Sequence, residues 1–240
     1  MNDPVRVRTA AIGLVSFAAA EEQMLLAAEG ADGAERGSPA AWAARPLVAH
    51  NTEFRDQQVQ RLAAIREGRI PPGFAEIDHR SPEVYRRYCE QPADAVAEAS
   101  RRTAQALVAG LSALADEDLL VPARQPRLHC RQLWLQVIVW GFWHPAGHLG
   151  DYYIARGWPG RAVAMQAQAV SLAAYLDAPD LARGMARYNL ACAQARSGQP
   201  GAAFDALSEA LVRNASLLAN AVRDSDLRSL RDGGRLDALL

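Results

Sequence analysis

Period-two alternation, the mark of a half-buried strand, is missing from all 240 residues, whereas apolar residues recur three and four apart along most of the chain. Valine, isoleucine and threonine are thinly spread, which removes the residues a sheet draws on. The expectation is therefore all-α. Helices are predicted over 4–29, about 40–66, 82 to about 114, and about 128–156. The first is expected to bury Ile12, Val15, Ala19 and Leu26, and the second Trp42, Leu47, Phe54 and Leu62. Ser38 and Pro39 read as the cap and first turn of the second helix, and Ser81-Pro82-Glu83 as the opening of the third. Pro92 interrupts the third, because it has no N–H for an interior bond, and Gly157 ends the fourth. Four helices with one long crossover (68–80) make residues 1–157 a helical bundle.

Residues 158–240 change character. Shorter helices are expected over 160–176, 179–197, 200–213 and 215–222. Within 188–214, Leu190, Ala191, Gly198, Ala203, Leu207, Ala210 and Leu211 hold the small and apolar positions that let paired helices pack closely, as in a tetratricopeptide unit. Ala215 departs from that pattern, which usually has Pro there. The 41 residues from Ala162 to Ala203 exceed the repeat length of about 34, so the array reads as short and irregular.

Composition then removes function classes. The net charge of −1 supplies neither a basic face for nucleic acid nor a polybasic membrane anchor. All 26 basic residues are arginine, so no Schiff-base lysine, P-loop lysine or lysine base is available. Cys89, Cys130 and Cys192 lie far apart and form no C-x-x-C pair, which points to a reduced, cytoplasmic setting. The N-terminal apolar stretch runs into acidic residues and does not read as a signal peptide. Residues 133–143 are about half the length of a bilayer span and read as a buried helix. There is no glycine-rich phosphate loop, G-x-S-x-G elbow or Cys/His nucleophile pair.

What remains is a histidine constellation. His144 and His148 are four apart on the fourth helix, about 40° apart around its axis, on a stripe with Val137, Trp140 and Asp151. Val137 and Trp140 are interior types, so the imidazoles are expected to face inward. His50, on the second helix with Phe54 and Gln57, meets them if the two helices pack. Three neutral imidazoles leave positions open for water or substrate and suit Zn²⁺ first, with Ni²⁺ or Fe²⁺ as alternatives. Against this stands the plain reading of hydrogen-bonded core histidines. Asp151 reads as a ligand, a general base, a partner orienting an imidazole, or a solvated carboxylate pairing with Arg156 or another arginine. Glu53, three residues past His50, carries the same ambiguity, and Trp140 is either a pocket lining or core. His79 and His129 fit no ligand spacing, and Cys130 lies roughly 20 Å from His144 along the helix. Pro145, between the two ligand candidates, predicts a kink that re-aims His144.

One histidine in LVAHNTEF (47–54) and an H-x-x-x-H pair in FWHPAGHLGDYY (142–153) give residues 1–157 a pattern that resembles the DinB superfamily. His50, His144 and His148 match that family's metal ligands one by one. The group includes thiol-dependent S-transferases, mycothiol-dependent maleylpyruvate isomerases, the metal domain of ergothioneine-forming sulfoxide synthases and the ClbS/DfsB-like proteins that disarm a DNA-alkylating toxin. The resemblance implies a metal-dependent hydrolase or thiol transferase. Such an enzyme adds water or a low-molecular-weight thiol, mycothiol among them, to a small electrophile in detoxification, self-resistance or secondary metabolism. Asp151 and Glu53 are the candidate catalytic residues and Trp140 the candidate substrate contact. The competing expectation is a non-catalytic scaffold whose tail grips a partner in its groove, although the exposed candidates for a clamp, Arg187, Asn189, Arg196 and Asn214, are few and unremarkable for that role. Otherwise the tail packs on the bundle, covers the site entrance or builds a homodimer.

Overall fold

The computed structural model describes residues 3–29, 37–38, 41–73, 82–120 and 133–239. Its elements are α1 (Pro4–Glu29), a two-residue antiparallel pair of β1 (Gly37–Ser38) and β2 (Ala41–Trp42), α2 (Ala44–Arg66), α3 (Pro82–Cys89), α4 (Ala93–Ala113) and α5 (Asp116–Leu120). Then come α6 (Leu133–Ile138), a π-helical segment (Val139–Trp143), α7 (His144–Ala155), α8 (Pro159–Tyr175), α9 (Asp180–Arg196) and α10 (Pro200–Arg213). Short 3₁₀ turns alternate with α11 (Leu218–Ala221) and α12 (Arg228–Asp232) to the C-terminal end. Apart from the β pair, the regular structure among the described residues is helical, as expected. The chain forms two compact units, 1–145 and 146–240, and the division falls inside α7.

One helix boundary and one buried stripe differ from the sequence reading. Ser38 does not cap α2: it lies in β1, and α2 begins at Ala44 with Ala43 before it and no side-chain cap. Pro46 sits in the first turn, where its missing N–H costs no helical bond. In α1, Val15 is buried as expected, but Ile12, Ala19 and Leu26 are only half-buried. The core face is Val7, Ala11, Leu14, Ala18, Glu22 and Leu25. An alanine-rich helix has little contrast between its faces, so its partners decide the buried stripe. Ser81, Pro39, His79, His129 and Cys130 lie outside the described residues.

In the first unit, α4 lies along both α1 and α2, and the α6–π stretch lies against α1. The charge on α1 is answered inside. Glu22 and Arg55 are both fully buried and paired at 2.6 Å. Asn51 Nδ2 (3.1 Å) and Ser100 Oγ (2.9 Å) also donate to the Glu22 carboxylate, and Arg55 Nη1 donates to the Ser100 carbonyl (3.2 Å). One network thus ties α1, α2 and α4 together. By length and composition α1 is apolar enough to cross a membrane. Here it is a core helix whose buried acid has a specific cation from α2.

The break expected at Pro145 takes the form of a π turn. A proline ring collides with the carbonyl four residues back, here that of Gly141. Widening the helix over Val139–Trp143 relieves the collision, and His144 N–H donates to the carbonyl of Val139, five residues back. Gly141 serves packing as well. A Cβ there would stand 2.7 Å from Val15 Cγ2 and 3.0 Å from Leu107 Cδ2, so only glycine lets the segment approach α1 and α4 this closely.

In the second unit α9 packs on α8 and on α10. Ala162, Ala169, Ala182, Ala186, Ala191, Ala203, Leu207 and Ala210 form the contact surfaces and are buried. A Cβ on Gly184 would lie 2.8 Å from Asn214 Cβ and 3.1 Å from the Ala210 carbonyl oxygen. Gly157 (φ +75°) and Gly198 (φ +73°) take the left-handed conformation that turns the chain after α7 and α9.

Candidate metal centre

His50 is fully buried on α2, and its Nε2 lies 3.1 Å from Nε2 of His144, the first residue of α7. His148 follows one turn later on the same helix, so the helix itself fixes its place relative to His144. One ring nitrogen from each of the three lies within 4.8 Å of the others, and this group can hold a metal ion. The spacing fits that use. Metal–nitrogen bonds of about 2.0–2.1 Å place two ligand nitrogens roughly 2.8–3.4 Å apart at octahedral to tetrahedral angles, and the His50–His144 separation falls in that interval. Where a kink was expected at Pro145 the helix carries a π turn, and His144 lies against His50.

Aromatic rings wall the two histidines in. The His50 ring is 5.1 Å from Trp42, 4.9 Å from Phe54 and 5.6 Å from Tyr88. Phe54 stacks on Trp140 at 5.0 Å with a 9° interplanar angle, and Trp140 lies 5.2 Å from the His144 ring. Trp140 thus stands between the Phe54 and His144 rings. One turn beyond Phe54, Gln58 is fully buried with neither amide atom hydrogen-bonded. The apolar wall was legible from the α2 stripe. Tyr88 carried no signal as a site residue, because α3 holds no candidate ligand; Trp42, expected as a core residue of the second helix, stands instead in β2 with its ring beside His50.

Glu53 is occupied. It accepts from Tyr88 Oη at 2.6 Å and from Arg87 Nη2 at 2.9 and 3.1 Å. Burial, then the hydrogen bond to Glu53, pushes the Tyr88 hydroxyl above its usual range, so the phenol stays protonated. Through this bond Glu53 fixes one wall of the site. Asp151 lies 4.0 Å from His148 Nδ1 and pairs with Arg196 rather than Arg156, whose guanidinium lies over the Tyr152 ring.

The proposed peptide-clamp set of the tail does not form an exposed row. Asn189 and Asn214 are buried, the latter because it closes α10 against Gly184. Arg187 pairs with Glu209 and Arg196 with Asp151. A second cluster, Cys192, Asp224 and Asp226, also brings its ligand atoms within 4.8 Å of one another. Its chemistry is less suited to a metal. Cys192 Sγ (3.7 Å) and Tyr188 Oη (2.7 Å) both donate to Asp224, and Arg196 supplies the cation beside Asp226. Burial, and then the neighbouring acids, raises the Cys192 thiol well above its ordinary value, which opposes the thiolate a ligand or nucleophile needs.

No family model, curated protein or solved structure matches the chain.

Proposed function

We propose that the chain is a metal-dependent enzyme of the DinB type, with residues 1–157 as a four-helix bundle and the following helices as a short tetratricopeptide-like module. His50, His144 and His148 hold the ion, Zn²⁺ first and Ni²⁺ or Fe²⁺ as alternatives. The observation that carries the reading is the 3.1 Å approach of two Nε2 atoms from different helices within an aromatic enclosure. A divalent ion supplies Lewis acidity that brings the pKa of a coordinated water or thiol near neutrality. The chain's residues supply the rest. Trp42, Phe54 and Trp140 exclude water around His50 and His144, and Trp140, stacked on Phe54 beside His144, is the candidate substrate contact. Asp151, beside His148, is placed to orient that imidazole or to take a proton. The reaction is addition of water or a low-molecular-weight thiol, mycothiol included, to a small electrophile.

Metal analysis of the purified protein tests the reading directly. The expected result is one ion per chain, lost in His144→Ala, with turnover of electrophile–thiol pairs lost on chelation and restored by Zn²⁺. Absence of stoichiometric metal after reconstitution, or full binding by the variant, overturns it.

A further inference from the structure

Asp151 is half-exposed on α7, and a carboxylate in that position ordinarily samples several rotamers. Here it does not stand alone. Arg196, at the end of α9, sets Nη1 against Asp151 Oδ1, and the same nitrogen lies 3.5 Å from Asp226 Oδ2. Asp226 is held in turn, because its backbone N–H donates to Asp224 Oδ1 at 2.9 Å at the start of a 3₁₀ turn. A continuous line therefore runs from Asp224 through Asp226 and Arg196 to Asp151, whose other oxygen, Oδ2, lies 4.0 Å from His148 Nδ1. Every member belongs to the second unit.

We infer that Arg196 is a positioning residue for the metal centre: it clamps Asp151 so that Oδ2 faces His148 Nδ1 and leaves Nε2 of that imidazole to the ion. The inference rests on the proposed His50–His144–His148 site. Its physical basis is general. A ligand imidazole is oriented, and its basicity raised, by a carboxylate on its second nitrogen, and the loss of such a partner weakens metal binding about 10- to 100-fold. The planar guanidinium suits the clamp because it holds its donors in fixed directions between two carboxylates, whereas an ammonium makes a less directed contact. Within the second unit α9 thereby reaches the His148 imidazole through Asp151.

Competition titration of Zn²⁺ on the full chain tests this, with a chromophoric chelator as reporter. Arg196→Gln is expected to weaken Zn²⁺ affinity at least about tenfold, Arg196→Lys to recover part of the loss, and Asp151→Asn to match Arg196→Gln. The double variant is expected to be no weaker than either single one, because both remove the same alignment. Arg213→Gln, which breaks a comparable α10–α9 ion pair with Asp180, is the control and should bind as wild type. Thermal melts of the metal-free proteins separate alignment from folding, and the Arg196 variants should melt with the control. Wild-type affinity in Arg196→Gln, or losses that add in the double variant, overturns the inference alone. Failure of the wild type to bind Zn²⁺ overturns the metal reading and this inference with it.

Discussion

Asp226 illustrates what a single residue contributes and when. Burial lifts its carboxyl to about 6, with Arg196 opposing the rise and Asp151 and Asp224 adding to it. An acid whose folded pKa exceeds its unfolded value, about 3.9, holds its proton more tightly when folded. It therefore favours the fold below roughly pH 4, and that contribution is lost as pH rises through about 6. Asp226→Asn removes the titration. Denaturant unfolding at a series of pH values should show the stability difference moving in the variant's favour between about pH 4 and pH 7, with the m-value unchanged. A pH-independent difference would contradict this assignment.

At the scale of elements, two devices lock the first unit together. The Glu22–Arg55 pair joins α1 to α2 inside the core. Removing one partner strands a buried charge, so Glu22→Leu or Arg55→Met alone should cost about 3–5 kcal/mol. The double variant should recover most of that loss, since an apolar pair of similar volume needs no solvation. Equilibrium unfolding of the four proteins closes the cycle. The other device is the glycine at the π turn. Gly141→Ala forces a methyl against Val15 and Leu107 and should cost about 1–3 kcal/mol. Val15→Ala in the same chain should relieve part of it, as judged by the shift in midpoint. The pair and the turn were differently visible in the sequence. Pro145 announced a distortion before His144, but nothing in a Glu on one helix and an Arg on another announced that they would meet.

At the scale of the whole molecule, ion binding and folding are linked. An ion that binds the folded chain stabilises it by RT ln(1 + [ion]/Kd), about 2.7 kcal/mol at a hundredfold excess over Kd. Melting of the metal-free protein should therefore rise steadily with added Zn²⁺, and His50→Ala should abolish the rise because it removes the only α2 ligand of the group. Scanning calorimetry over a Zn²⁺ series measures it.

The sequence by itself determined the helical class, the positions of most helices and which histidines were the candidate ligands. Periodicity is a local property, and His144 and His148 share a face through helix geometry alone. It also located the turn residue Gly157, which needs no distant partner to take positive φ, whereas Gly198, read as a packing position, proves to be a turn residue of the same kind. Only the tertiary structure decided that His50 reaches His144, that Glu53 is taken up by Tyr88 and Arg87, and that Asp151 is held by Arg196. Each of those contacts joins residues at least 34 positions apart. What a side chain touches at that separation is set by how helices pack, and an Ala-rich face such as that of α1 leaves the packing angle to its partners.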